Sequence, residues 1–158
     1  MTNASLNAPF PDHAIGSFEL FGTTPPSDMI ALERKGVPGA MVKSLAEKLS
    51  LTTVRFAQMI GAPKATLERK AANGTLITGG SAYAALGIIK LINIVQAMLD
   101  ESTHPDAKKL DAAMWLGQWI EQPQPALGGQ KPADMMDTPT GMAMVSRVLG
   151  AVTSGAYL

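Results

Sequence analysis

The 158-residue sequence contains no cysteine and only two histidines, His13 and His104. The absence of cysteine excludes thiolate catalysis, cysteine-based zinc sites and a disulfide framework, and it fits a reducing cytosol. Two histidines leave little for a catalytic triad or a metal shell, and no nucleophile–base pair or phosphate-binding loop accompanies them. We therefore expect no enzymatic activity, no metal and no cofactor.

The N-terminal segment also lacks the features of an export signal. Residues 1–11 contain no lysine or arginine and no apolar stretch, so we expect no secretory signal and a cytoplasmic protein. Residues 1–24 have few spaced apolar positions and many turn formers, which is typical of a flexible tail.

Net charge is zero overall, with 13 basic and 13 acidic residues, but its distribution is uneven. Residues 1–32 contain three acidic residues and no basic one. Residues 33–74 contain eight lysines or arginines against three glutamates, and residues 75–158 contain five basic against seven acidic residues. A polyanionic partner would therefore meet residues 33–74.

Apolar residues recur at helical intervals through most of the chain, and no strand pattern of useful length appears. The pattern predicts an all-α protein with an N-terminal helix-turn-helix domain and a small helical C-terminal domain. Glycine and proline mark the ends of the elements. The predicted helices cover residues 28–36, 39–49, 53–60, 64–72, 82–99, 106–120, 132–136 and 140–153.

The predicted helix 82–99 is apolar around most of its circumference. Lys90, Asn93 and Gln96 fall on one stripe, so a narrow polar face survives. Eighteen residues with a central lysine are also marginal for a membrane span. We interpret the segment as a central core helix or a dimer face and expect no membrane association.

Ala57, Gly61 and Leu67 carry the local helix-turn-helix signal. The motif needs a small residue where its helices cross, a turn residue that tolerates positive φ, and a branched apolar residue that fixes the second helix. The second helix then displays donors for phosphates and guanine edges, although Glu68 would repel phosphate unless it accepts from a cytosine amino group. The predicted DNA-binding residues are Arg55, Lys64, Thr66, Arg69 and Lys70.

Two segments resemble parts of a known family. Residues 51–70, LTTVRFAQMIGAPKATLERK, look like the Xre-type helix-turn-helix of antitoxins in the Xre/MbcA/ParS group. The final third is similar to that group's toxin-binding domain in order and spacing. It has Trp-Ile at 119–120, Ala-Leu-Gly-Gly at 126–129 and Asp-Thr-x-x-Gly at 137–141. The occurrence of all three in this order makes the second resemblance highly specific.

The resemblance implies an antitoxin whose partner is a RES-domain toxin, a protein that consumes NAD. Such an antitoxin does no chemistry. It would neutralise the toxin by occupying or closing the active cleft, and as a homodimer it would bind operator DNA and repress its own operon. The implied organisation is a tail (1–24), an Xre-like DNA-binding and dimerisation domain (25–102) and a toxin-binding domain (103–158). The predicted toxin contacts are Trp119, Leu127, Gly128, Gly129, Met135, Arg147, Tyr157 and Leu158.

Two departures from the family pattern affect these expectations. Ser81-Ala82-Tyr83 stands where the group usually has a polar Ser-Asp/Glu-Arg entry to the long helix, which bears on the DNA contact surface. Ala151-Val152 stands where an Arg-Ile pair is usual, which bears on the toxin contact.

The last residues, Gly155-Ala156-Tyr157-Leu158, carry no charged side chain. Such an end can simply fray. It can also act as an inserting plug, with Tyr157 and Leu158 as anchors and the terminal carboxylate meeting a basic NAD-phosphate pocket on the toxin.

A second class of function stays open beside the antitoxin. The chain could be a stand-alone helix-turn-helix repressor whose C-terminal half serves only oligomerisation. An antitoxin should be encoded beside a reading frame whose product is toxic alone and co-purifies with this chain, whereas a lone repressor should not.

Overall fold

The computed structural model describes residues 26–155, which form seven α-helices and one two-stranded sheet. This confirms the predicted all-α class. Short 3₁₀ turns at Ala107–Lys109, Pro125–Leu127 and Pro132–Met135 connect the last helices. The elements are α1 (Pro26–Lys35), β1 (Val37–Pro38), α2 (Gly39–Lys48), α3 (Thr53–Ile60), α4 (Lys64–Asn73), β2 (Leu76–Ile77), α5 (Gly79–Glu101), α6 (Ala112–Trp119) and α7 (Pro139–Thr153).

Helices α3 and α4 form the predicted helix-turn-helix. The Thr52 side chain caps α3 by accepting a hydrogen bond from the backbone N–H of Arg55 at 3.1 Å. Gly61 ends α3 in the left-handed region with φ of 71°, which permits the tight turn into α4. Ala57 and Leu67 are both buried, as the motif requires.

A small sheet, which the sequence pattern does not reveal, ties α2 to α4. β1 and β2 pair antiparallel with Val37 opposite Ile77 and Pro38 opposite Leu76. Two residues per strand are too few to produce an alternating pattern. The sheet joins the start of α2 to the exit of α4, and α2 packs closely on α4. The C-terminal end of α4 is therefore tied to the start of α2.

Helix α5 is the central core helix. It begins at Gly79 rather than at residue 82, because the exposed Gly79 and Gly80 and the polar Ser81 add nothing to the apolar pattern. By length and composition alone α5 could cross a membrane. Eleven of its residues are buried, and it packs against α1, α3, α6 and α7, so the protein core accounts for its apolar character.

The predicted helix 106–120 is divided. Leu110 has an extended backbone after the 3₁₀ turn, and Asp111 caps a new helix, α6, by accepting from the backbone N–H of Met114 at 2.9 Å. The apolar spacing of the predicted helix favours an inward position for Leu110 and Met114, but the restart at Asp111 turns both outward. Leu110 and Met114 are 51% and 49% exposed.

The N-terminal and C-terminal parts share one continuous hydrophobic core. A Cβ atom at Gly117 of α6 would overlap the carbonyl oxygen of Leu49, at the end of α2. A Cβ atom at Gly87 of α5 would overlap the Met142 side chain of α7. Glycine at both positions allows the helices to approach closely, so the C-terminal part is packed directly onto the helix-turn-helix part.

Candidate DNA-binding and toxin-binding surfaces

The outward face of α4 carries the predicted DNA contacts. Lys64 and Arg69 are exposed, and Thr66 is half-buried. The Lys64 ammonium lies 3.5 Å from the Glu68 carboxylate, one helical turn away. This pair is solvent-exposed and therefore weak, so it can yield to a phosphate or a base edge. Arg69 has no ion pair among residues 26–155 and presents its guanidinium to solvent.

Lys70 is held by its own domain. Its Nζ donates a hydrogen bond to the carbonyl oxygen of Leu76 at 2.9 Å, and the side chain is half-buried. The contact connects the last turn of α4 to β2. Lys70 thus has a structural contact at the position where the sequence predicts a DNA contact.

Arg55 points toward the C-terminal half of the chain. Its guanidinium donates to both carboxylate oxygens of Glu121 and to Asp134. Hydrogen bonds to Glu121 and then to Asp134 raise the pKa of the Arg55 guanidinium further above its ordinary value. The sequence does not reveal these two partners, because they lie 66 and 79 residues away and only the tertiary fold brings them together.

Trp119, predicted as a toxin contact, lies in the core with 7% of its surface exposed. The half-buried Trp115 ring stacks against it, with ring centroids 6.2 Å apart and planes inclined by 10°. This pairing is the packing role that two tryptophans one turn apart commonly have. Trp119 is therefore mainly a core residue, and its contact with a toxin stays a prediction.

The loop at residues 124–130 is preorganised. Gly128 and Gly129 adopt φ values of 66° and 79°, which few other residues tolerate, and their N–H groups donate back to Pro125 and Gln124. Leu127 anchors the loop, with 4% of its surface exposed, while both glycines are exposed. Met135, in the following 3₁₀ turn, is half-buried.

Arg147 is exposed on α7 and borders an apolar groove between α7 and the Pro125–Leu127 turn. Leu127 forms part of the groove wall, so the structure brings two predicted toxin contacts together. Tyr157 and Leu158 lie outside the described residues. The groove is lined by Ala126, Leu127, Met144, Arg147, Val148 and Ala151.

Several groove residues were not among the predicted contacts. Ala126, Val148 and Ala151 are small or aliphatic residues in a helical pattern, and nothing local separates such residues from core positions. Four methionines in the C-terminal part suggest an adaptable contact surface: Met135, Met136, Met142 and Met144. Met136 and Met142 are buried, however, and Met135 is half-buried. Met144 alone among these four counts as an exposed large apolar residue, at 37%.

Both surfaces lie in segments that are similar to known domain families. Residues 28–76 match the family description "Antitoxin Xre-like helix-turn-helix domain". Residues 111–155 match "Antitoxin Xre/MbcA/ParS C-terminal toxin-binding domain". A relative from Sphingobium sp. (strain YBL2), named "Prs ADP-ribosylating antitoxin", is 36% identical over 132 residues, which span 84% of this chain and 82% of that protein.

A helix-turn-helix part packed against a toxin-binding part defines an antitoxin of a toxin–antitoxin system. The chain belongs to the Xre/MbcA/ParS family of antitoxins, as the two domain matches and the extent of the similarity show.

Proposed function

We propose that this antitoxin neutralises a RES-domain, NAD-consuming toxin by covering its active cleft. The observation that carries the proposal is the match of residues 111–155 to a toxin-binding domain. The relative's name adds support, because ADP-ribosylation draws its ADP-ribose from NAD. Inhibition is steric: the surface in this domain is apolar with one arginine, which suits protein binding and needs no catalytic group.

The C-terminal residues extend this proposal. Helix α7 ends at Thr153 beside the groove, and Ala156, Tyr157 and Leu158 follow it in sequence. We propose that Tyr157 and Leu158 anchor the antitoxin in the toxin's cleft. Removing Ala156–Leu158 should then release toxin activity without changing the fold. Unchanged neutralisation by this truncated antitoxin would rule the plug out.

The test of neutralisation uses the product of the adjacent reading frame. That protein should be toxic when expressed alone, consume NAD in vitro and co-purify with this chain. Adding purified antitoxin should suppress NAD turnover in a saturable manner. Full NAD turnover in the mixture, with no stable complex on gel filtration, would contradict the proposal.

We also propose that the antitoxin represses its own operon as a cytoplasmic homodimer. The support is the geometry of α4, which displays Lys64 and Arg69 on a helix held by the turn at Gly61 and by the small sheet. Two such helices on a two-fold dimer would lie about 34 Å apart and read a palindrome. A gel shift with the operon's promoter at several salt concentrations tests this. No shift at low salt would leave only neutralisation.

A stand-alone repressor is the second candidate, and the same α4 geometry favours it. The presence or absence of a protein partner distinguishes the antitoxin from the stand-alone repressor. A repressor whose C-terminal half only oligomerises would shift promoter DNA, yet no neighbouring product would co-purify with it. If the purified chain suppresses NAD turnover by the neighbouring gene product, the stand-alone repressor is excluded.

A further inference from the structure

The apolar groove on the toxin-binding domain is formed by two elements of different kinds. One wall is α7 and the other is the turn Pro125–Leu127. Its volume is about 280 Å³. Small-molecule sites begin at about 300 Å³, so this open groove is of a size for one or two side chains of a partner protein.

The groove exists before any partner binds. Leu127 is buried beneath the turn, and backbone hydrogen bonds from Gly128 to Pro125 and from Gly129 to Gln124 close the loop. On the other side, Val145 and Leu149 are fully buried and hold α7 against the core. Because both walls are fixed, a partner would lose little free energy to ordering the groove on binding.

A single cation lies at the edge of this apolar surface. Arg147 is the one charged residue in α7, and it has no ion pair among residues 26–155. The acidic residues nearest in sequence precede the helix, and one of them, Asp134, is bound to Arg55. An unpaired guanidinium fork beside an apolar groove is complementary to a carboxylate next to a large apolar side chain.

We propose that the groove receives a segment of the toxin in which a large aliphatic or aromatic side chain neighbours an aspartate or glutamate. The apolar side chain enters between Leu127 and Met144, and the carboxylate accepts hydrogen bonds from Arg147. Exposed methionine and arginine, with no lysine or glutamate among the lining residues, match the composition of protein interfaces. This inference rests on the proposed neutralising function and identifies the surface and partner chemistry that perform it.

The test uses the full-length antitoxin and the NAD-consuming product of the adjacent reading frame. Met144→Asp and Arg147→Glu should each weaken toxin binding at least tenfold and restore NAD turnover in proportion. Arg147→Lys, which keeps the charge and loses the fork, should lie between Arg147→Glu and the unmodified protein. Ala143→Asp is the matched control, since Ala143 is exposed on the same helix but does not line the groove.

Two further measurements separate a docking role from a structural one. Promoter binding and thermal unfolding should be unchanged in Met144→Asp and Arg147→Glu. On complex formation, amide hydrogen exchange should slow in residues 124–130 and 144–151 of the unmodified antitoxin. Raising the salt concentration should reduce the Arg147→Glu defect more than that of an uncharged Met144→Gln variant, because only the former changes a charge.

The outcomes distinguish a failure of the proposed function from a failure of the groove as the docking site. If the unmodified chain fails to suppress NAD turnover, the proposed function fails. If it suppresses turnover and Met144→Asp and Arg147→Glu do so equally well, the groove is not the docking site. Loss of promoter binding in Arg147→Glu with neutralisation intact would assign Arg147 to DNA and also overturn the inference.

Discussion

Arg55 of the helix-turn-helix is joined to Glu121 of the toxin-binding domain by a two-pronged ion pair. Nε lies 2.5 Å from Oε1, and Nη2 lies 3.1 Å from Oε2. The same Nη2 donates to Asp134 at 2.8 Å, and Lys131 Nζ lies 3.6 Å from Glu121. The first helix of the DNA-binding motif is thus connected by charge to both ends of the segment 121–134. The two surfaces are held in one orientation.

The Arg55→Ala substitution should destabilise the protein by about 1–2 kcal/mol. Hydrogen bonds to charged groups contribute about 1.5–3 kcal/mol, and partial solvent exposure of this pair reduces that value. Because its carboxylate partners raise the pKa of Arg55, its contribution is fully present below the ordinary arginine pKa and does not change near neutral pH. Urea unfolding measures the loss.

Glu121→Gln is the control that separates stability from DNA contact. It removes the partner charge while leaving Arg55 in place. If Arg55 serves the domain contact, both variants lose stability and neither loses promoter affinity beyond its unfolded fraction. A promoter-binding defect in Arg55→Ala, with none in Glu121→Gln, would instead support the predicted DNA contact.

A methyl group at residue 117 should disturb the contact between the two parts of the core. Gly117→Ala places a Cβ atom against the Leu49 carbonyl oxygen, which is backbone and cannot move aside easily. We expect a loss of about 1–3 kcal/mol, as for other overpacked sites. Gly150→Ala is the matched control, because a Cβ atom at that helical position meets open space. Alanine there should increase the free energy of unfolding by as much as about 1 kcal/mol. Equal melting temperatures for the two variants would contradict this packing.

The sequence predicted those elements whose signals are local. The helix-turn-helix could be placed because Ala57, Gly61 and Leu67 each have a conformational or packing role within a few residues. The division at residues 110–111 was missed because Leu110 and Met114 continue an apolar spacing that the Asp111 cap interrupts. A capping aspartate within an apolar pattern is ambiguous without the fold.

Loss of the cap of α7 should loosen the wall of the groove. The Thr138 hydroxyl accepts a hydrogen bond from the backbone N–H of Gly141 at 3.0 Å. Thr138→Ala should therefore cost about 1 kcal/mol. Thr140→Ala, in the same first turn and exposed, has no cap bond to lose and should be near neutral. Chemical denaturation of the two variants measures the difference, and an equal effect would contradict the capping role.

The candidate sites were harder to predict than the helices. Lys70 looks like a DNA contact in sequence because its charge and helical register fit, but only the sheet reveals that Leu76 accepts its hydrogen bond. Arg147 was predicted, whereas the groove beside it depends on a turn 20 residues earlier in the chain. Residue types predict which groups can bind, and tertiary packing decides which of them are available.

Arg69 and Lys70 provide a direct comparison on one helix. Arg69 is exposed, whereas Lys70 is bound to the Leu76 carbonyl oxygen. Arg69→Ala should weaken binding to the operon's promoter by about 1–3 kcal/mol if the guanidinium grips a guanine. If Arg69 contacts only phosphate, the loss should be equal for unrelated DNA and the salt slope should fall by about one.

Lys70→Ala should behave differently, because its main contact is internal. It should lower the free energy of unfolding by about 1 kcal/mol and leave the salt slope of DNA binding unchanged. Gel shifts across salt concentrations, paired with urea unfolding, measure both effects. A reduced salt slope in Lys70→Ala with full stability would mean that Lys70 leaves Leu76 and binds phosphate. In that case Lys70 would belong to the same DNA-binding face as Arg69.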